Sequence, residues 1–247
     1  MSQNKLPKLI RKKAARYSII VVLLATLVGI YFLEVNHRMF ESGPRDQDQP
    51  VTAEITPNHQ TVKATVFWVG EPPNDDNAGI TNVASSWISD WVKAYGGVDN
   101  YDKRCGYNPC GFTPKENPFY FALPYSDRKD DGSLKPTAEL EQIPWYSGAA
   151  LEGQSLLKNR WIAVTHQDKT AYAQWEDVGP MNDDDVNYVF GDQPPKYEKS
   201  GLDVSPAVNT YLDLEGEGTV SWRFIGASDV PDGPWKDTIT ESQLDYN

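Results

Sequence analysis

The sequence predicts a mainly β domain that is carried behind a single membrane-anchoring helix. A basic N-terminal segment leads into an uncharged apolar run at residues 18–33. Segments rich in β-branched and aromatic residues then cluster at both ends of the region 61–226, as expected for strands. Few segments have the capped, one-faced apolar pattern of a helix, so we expect only two or three short helices.

The N-terminal segment is the predicted anchor. Residues 1–17 hold six positive side chains and no acid, which predicts a cytoplasmic N-terminus and an exported remainder. A bilayer core needs about 20 helical residues, so we extend the anchor over residues 18–35. Bulky residues follow the apolar run, where a cleaved signal peptide has small ones. This favours an uncleaved single-pass anchor in the inner or cytoplasmic membrane, with a periplasmic or extracellular domain.

Charge is divided unevenly along the chain. The whole chain carries −12 and residues 1–35 carry +5, which leaves −17 for residues 36–247. An acidic exported domain is a poor electrostatic partner for nucleic acid, and its partner is expected to be neutral or cationic. Residues 36–60 are polar and contain three prolines, which predicts a disordered stalk. Residues 227–247 form an acidic tail that we expect to be loosely packed.

The chain has two cysteines, Cys105 and Cys110. Outside the cytoplasm a local disulfide is the natural pairing of two such residues. A metal site is disfavoured because neither histidine nor further cysteine lies nearby to complete four ligands. We therefore predict a disulfide, no metal and no cofactor.

The regular elements follow in order along the exported part. Two helices are predicted: one from Asn82 to the Gly-Gly pair at 96–97, and one capped by Ser205 that ends at Gly216. Between them lies a long irregular stretch with proline-flanked aromatic segments. The predicted strands are 61–69, 160–165, 170–175 and 219–225.

Two acidic residues stand where an apolar run ends and the chain breaks. Asp177 lies in Glu-Asp-Val-Gly-Pro, and Asp203 lies in Gly-Leu-Asp-Val-Ser-Pro. Side chains at such junctions can face a cleft, and two carboxylates in one groove suffice for acid/base work on a glycosidic bond. The alternatives are structural: Asp203 would cap the following helix and Asp177 would brace a turn. Strand alternation places Glu176 on the face opposite to Asp177.

Aromatic side chains in the proline-flanked loops are the candidate sugar-binding platform. Aromatic faces stack on sugar rings, although they also fill cores. The candidates are Tyr107, Tyr120, Tyr125, Trp145 and Tyr146.

Three segments resemble the rare lipoprotein A and expansin type of double-psi β-barrel. Residues 64–71 are similar to the opening Ala-Ser-Trp-Tyr-Gly strand of rare lipoprotein A, and residues 176–180 resemble its Asn-Asp-Arg-Gly-Pro segment. Residues 202–208 resemble its Ile-Asp-Leu-Ser-x-Ala segment, which is His-Phe-Asp-Leu-Ser in expansins and family-45 endoglucanases. Gly201 stands where those proteins have the first His.

The resemblance implies a six-stranded double-psi barrel over residues 61–226, with an aromatic-rich insertion at about 87–145. It also implies a polysaccharide groove in which Asp203 is the acid and Asp177 a second carboxylate. We thus expect a membrane-anchored envelope protein that binds peptidoglycan-type cell-wall polysaccharide. Whether it also cleaves the polymer, as a glycosidase or lytic-transglycosylase-like enzyme, stays open. The alternative is a non-catalytic, expansin-like binding or scaffolding module, and a protein partner also stays open.

Overall fold

The computed structural model describes the part of the chain that follows the predicted stalk. The predicted basic segment, the predicted anchor and all but the last two residues of the predicted stalk lie outside the described residues. Within the described part, none of the helices is both long enough and apolar enough to cross a bilayer. The described residues are 59–75, 77–149, 152–181 and 183–246.

Within these described ranges, the regular structure consists of eight strands and four short α-helices. The strands are β1 His59–Val66, β2 Arg104–Cys105, β3 Asn108–Pro109, β4 Tyr120–Leu123, β5 Trp161–His166, β6 Lys169–Val178, β7 Leu202–Val204 and β8 Glu217–Ile225. The helices are α1 Trp91–Tyr95, α2 Thr137–Leu140, α3 Val186–Val189 and α4 Pro206–Leu212. Two 3₁₀ turns follow, at Ala227–Asp229 and Pro234–Lys236.

Six of the strands close into a mixed barrel. Their order around the barrel is β1-β7-β4-β6-β5-β8. The pairs β1–β7 and β4–β6 are parallel, and the other neighbouring pairs are antiparallel. The predicted fold is confirmed as a mainly β, closed six-stranded barrel, and this topology is compatible with a double-psi barrel.

The predicted disulfide is confirmed. Cys105 and Cys110 are bonded with their Cα atoms 4.8 Å apart. The bridge closes the small β2–β3 hairpin, in which Cys105 pairs with Asn108.

The region predicted as an insertion, at about residues 87–145, does not lie wholly outside the barrel, because it contains the barrel strand β4. Strand β4 lies between β7 and β6, and all four of its residues are buried. A strand buried on both faces shows no alternation of polar and apolar residues, so it cannot be recognised by period. Pro118 and Pro124 flank the strand, and flanking prolines are also typical of loops.

The first predicted helix is much shorter than expected. Only α1 is helical, whereas the chain before it is irregular although Trp87 and Ile88 are buried. The Ser85 hydroxyl oxygen accepts hydrogen bonds from the amides of both residues, and this local bonding competes with helix formation. The helix then starts after Asp90, whose carboxylate accepts from the Lys93 amide.

The second predicted helix starts where expected and ends early. Ser205 caps α4 by accepting from the Val208 amide at 3.2 Å, and Pro206 is its first residue. The helix ends at Leu212, because its C-cap Asp213 already takes the left-handed conformation, before the chain reaches Gly216.

The acidic tail is packed against the barrel, which corrects the expectation of a loose tail. Val230, Trp235 and Thr240 are buried. The Thr240 hydroxyl oxygen accepts from the Asn117 amide at 2.9 Å. Apolar and hydroxyl side chains spaced along an acidic segment therefore fix it to the core.

Candidate functional site

The barrel places Asp177 and Asp203 on either side of one alanine. Ala122 on β4 pairs with Asp203 on β7 and with Asp177 on β6. Paired residues project to the same face of a sheet, so both acids share the face of Ala122. Adjacent strands are about 4.8 Å apart, so the Cα atoms of the two acids are about 10 Å apart across the sheet. A bulge between β4 and β6 leaves Glu176 as the extra residue and brings Asp177 into register with Ala122.

Both acids line one open cavity of about 690 Å³, which we call the carboxylate groove. Small residues form its floor: a side chain at Gly179 would begin 3.4 Å from Asp203 Oδ2 and 3.8 Å from the Ala122 side chain. Glycine and alanine at these positions leave the space between the carboxylates open. The groove is lined by residues that include Thr65, Trp68, Glu71, Tyr101, Ala122, Asp177, Gly179, Tyr197 and Asp203.

Asp203 has the properties of a group that can hold a proton near neutral pH. Burial raises the pKa of its carboxyl to about 7, and the nearby charges of Asp177 and Glu71 act in the same direction. The Thr65 hydroxyl donates to Oδ1 and partly offsets this rise. Since Ser205 caps the following helix, Asp203 is not needed as its cap.

Asp177 accepts more hydrogen bonds than Asp203, and both of its donors are backbone amides. Its Oδ1 accepts hydrogen bonds of 2.8 Å from the backbone amides of Ser86 and Val178. Burial raises the pKa of this carboxyl to about 6, although the two amides favour its ionised form. The bond to its neighbour Val178 is the turn-bracing role considered from the sequence, and it coexists with a position in the groove.

Glu71 is a third groove carboxylate that the sequence analysis missed. Its two oxygens accept from the side-chain amides of Asn74 at 3.2 Å and Asn82 at 3.0 Å. Burial raises its pKa. A signal was present in the sequence, because Glu71 follows the β1 segment and precedes a proline pair, and Asp177 and Asp203 also stand shortly before chain breaks.

The aromatic rings of the groove were also missed. Trp68 and Tyr101 line it with their ring centroids 6.0 Å apart, and both are partly exposed. Tyr197 is a further lining residue. Trp68 lies in the segment that resembles rare lipoprotein A, so its position after β1 was the available signal.

The predicted aromatic platform does not form at the groove. Tyr120 and Tyr125 are buried, with 0% and 2% exposure, so their faces cannot receive a sugar and that expectation is wrong for them. The Tyr120 hydroxyl donates to Asp99, and that of Tyr125 donates to the Glu139 carbonyl. They are buried because the proline-flanked segment is a barrel strand and its continuation.

The other three platform candidates are partly buried elsewhere. The ring of Tyr107 lies against Phe119 and Tyr211, while that of Trp145 lies against Phe190 and Phe224. Tyr146 packs against the hydrophobic core. All five candidates belong to the described part of the chain, and none of them lines the groove.

Within the described ranges, no group of three or more His, Cys, Asp or Glu side chains is arranged to hold a metal ion. Neither a protein-family model nor a curated protein sequence matches the chain. The likeness to rare lipoprotein A and expansins therefore depends on the three sequence segments together with the barrel topology.

Proposed function

We propose that this chain is a membrane-anchored envelope protein whose double-psi barrel binds cell-wall polysaccharide and cleaves its glycosidic bonds. The observation that carries the proposal is the position of Asp177 and Asp203 on one face of the barrel, separated by Ala122 and lining one groove. Peptidoglycan-type glycan is the proposed substrate class, as the resemblance to rare lipoprotein A implies.

The two acids suit different parts of the reaction. Asp203, with a pKa of about 7, is substantially protonated at neutral pH and donates its proton to the leaving oxygen. Asp177, with a pKa of about 6, is mostly ionised there and is oriented by two backbone amides. Its negative charge stabilises the positive charge that develops on the sugar ring. Water then forms the new bond to the anomeric carbon, and its proton returns to the Asp203 carboxylate.

The groove offers binding features beside the acids. Trp68 and Tyr101 present partly exposed rings on which sugar faces stack. Hydroxyl, amide and carboxylate groups along the groove provide hydrogen-bond partners for sugar hydroxyls.

A non-catalytic, expansin-like binding module is the second candidate. It is favoured by the bonding of Asp177, whose Oδ1 is already occupied by two main-chain amides and thus has a structural role. Gly201 also stands where expansins and the related endoglucanases have a histidine.

One experiment separates the candidates. Full-length protein in mild detergent is incubated with peptidoglycan and with cellulose, and soluble products and sedimented protein are both measured. We expect wild type to release products and Asp203→Asn to lose about 100-fold or more of the rate while still sedimenting with the polymer. Glu141→Gln, which removes an exposed carboxylate that does not line the groove, is the matched control and should retain the rate. Sedimentation without product from wild type would reject catalysis and leave the binding module.

A further inference from the structure

A second cavity of about 740 Å³ adjoins the carboxylate groove. Ile80, Val178 and Met181 line both cavities, so the two are neighbours on either side of these side chains. Ile80 and Met181 are unusually exposed for apolar side chains, at 51% and 42%. A ligand that spans the two cavities would cover both side chains. We call the second cavity the arginine chamber, after Arg128 in its wall.

Among the described residues, Arg128 is a buried cation without an ion-pair partner. It is 9% exposed, and its Nη1 and Nη2 donate to the carbonyls of Gly132 and Gln154. Its Nε is buried and has no hydrogen-bond partner among the described residues. No ion pair found in the described ranges includes Arg128. A buried charge that is bonded only to neutral carbonyls is poorly compensated, and a carboxylate from a ligand would compensate it.

The mouth of the chamber has the opposite charge. Asp130, Asp131 and Asp183 are exposed there, and Lys129 is the other basic residue of the lining. The chamber thus combines one buried guanidinium with several exposed carboxylates. A purely anionic ligand would meet repulsion at the mouth, and a purely cationic one would meet Arg128. A group with both charges fits both parts.

We propose that the arginine chamber binds an amino-acid or peptide substituent of the glycan in the carboxylate groove, with its carboxylate on Arg128 and its ammonium group among the exposed aspartates. The identity of the glycan rests on the proposed function, whereas the charge pattern of the chamber is independent of it.

The two cavities are connected through Ser86. Its backbone amide donates to Asp177 in the groove, and its carbonyl accepts from the Tyr246 hydroxyl at 3.1 Å. Tyr246 lines the chamber and is 46% exposed. A substituent in contact with Tyr246 therefore lies one residue away from the peptide unit that orients Asp177.

The test compares two forms of one ligand. Muropeptide oligosaccharides and the same oligosaccharides stripped of peptide by an amidase are titrated calorimetrically into the full-length protein in detergent. We expect the peptide-bearing form to bind about tenfold more tightly, and Arg128→Gln to abolish this preference. Arg223→Gln removes an exposed charge that lines neither cavity and should leave the preference intact. Tyr246→Ala, at an exposed position, should reduce the preference even if Arg128→Gln fails to fold.

Each outcome decides between the two proposals. Equal binding of both oligosaccharides to wild type overturns the chamber proposal and leaves the groove proposal standing. If neither form binds, both proposals fail. A preference that survives in Tyr246→Ala and in a folded Arg128→Gln protein would show that the peptide binds elsewhere.

Discussion

Glu176 and Asp177 are consecutive on β6, yet their carboxylates lie in different surroundings. Glu176 is 1% exposed and forms an ion pair of 2.5 Å with Lys158, which is itself fully buried. Asp177 lines the carboxylate groove and accepts from two backbone amides. Burial is the largest cause of the raised pKa in both, to about 7 for Glu176 and about 6 for Asp177.

What differs is the charge of the neighbours. Lys158 contacts Glu176, and its ammonium group also donates to Ser242 in the tail, whose hydroxyl donates to Glu116. In the groove, Asp177 and Glu71 instead add negative charge around Asp203. The first arrangement holds the tail on the barrel. The second destabilises ionised carboxyls, which is useful for proton transfer and unfavourable for stability.

The largest expected effect is on the interior ion pair. Lys158→Met leaves Glu176 buried without its cation and should lower the free energy of unfolding by about 3–5 kcal/mol at pH 7.5, measured by urea denaturation. The loss should shrink at pH 5, where Glu176 takes up a proton. Adding Glu176→Leu should restore most of the stability, because two apolar residues then replace the pair.

The exposed pair Lys169–Asp213 provides the control for Lys158→Met. Both of its side chains are well exposed, at 43% and 70%. Lys169→Met should therefore change the free energy of unfolding by less than about 1 kcal/mol. Equal losses from the two lysine substitutions would contradict the assigned role of the interior pair.

A smaller loss of stability is expected when the contact between the tail and the barrel at Thr240 is removed. The Thr240 hydroxyl oxygen accepts from the Asn117 amide at 2.9 Å. Thr240→Val removes this hydrogen bond at nearly constant volume, leaves the buried Asn117 amide without its acceptor and should cost about 1–3 kcal/mol of unfolding free energy. Hydrogen exchange of the Asn117 amide should accelerate in the variant, and unchanged protection there would count against the attachment.

The sequence predicted some strands of the barrel and missed β4. Strands β1, β5, β6 and β8 were predictable because their β-branched and aromatic residues stand out from the polar segments between them. Strand β4 was not, since complete burial removes the alternation on which such predictions depend. The cap of α4 was predictable from Ser205 and Pro206 alone, because capping is local chemistry.

For the site, positions at strand ends carried information and aromatic composition did not. Asp177 and Asp203 each stand before a chain break in the sequence, and the barrel brings them to one groove. Tyr120 has the same local setting as an exposed loop aromatic, and only the pairing of β4 with two distant strands buries it. Lys158 and Glu176 could not be paired from sequence, because nothing local indicates which buried charges meet across a barrel.

The stability of Asp203→Asn tests whether ionised Asp203 destabilises the folded protein. The folded pKa of about 7 lies above the ordinary value of about 3.9, so the stabilising contribution of protonated Asp203 is lost as pH rises through 7. The uncharged Asn should therefore raise the free energy of unfolding by about 1–3 kcal/mol at pH 8 and have little effect at pH 5. Denaturation at both pH values measures this, with Glu217→Gln as the exposed control. An equal gain in unfolding free energy at both pH values would mean that ionisation of Asp203 does not destabilise the folded protein.

The smallest effect concerns the charge that Glu71 adds to the groove. Glu71→Gln keeps the side-chain shape and removes a negative charge that raises the pKa of Asp203. Because a nearby negative charge disfavours ionisation, the Asp203 pKa should move down from about 7 in the variant. The carboxyl carbon of Asp203, followed by NMR as a function of pH, gives this shift directly. Asp75→Asn, at an exposed position of the same groove, should produce a smaller shift. If both variants lower the Asp203 pKa equally, the shift reflects the overall charge of the groove, and the position of Glu71 near Asp203 has no specific effect.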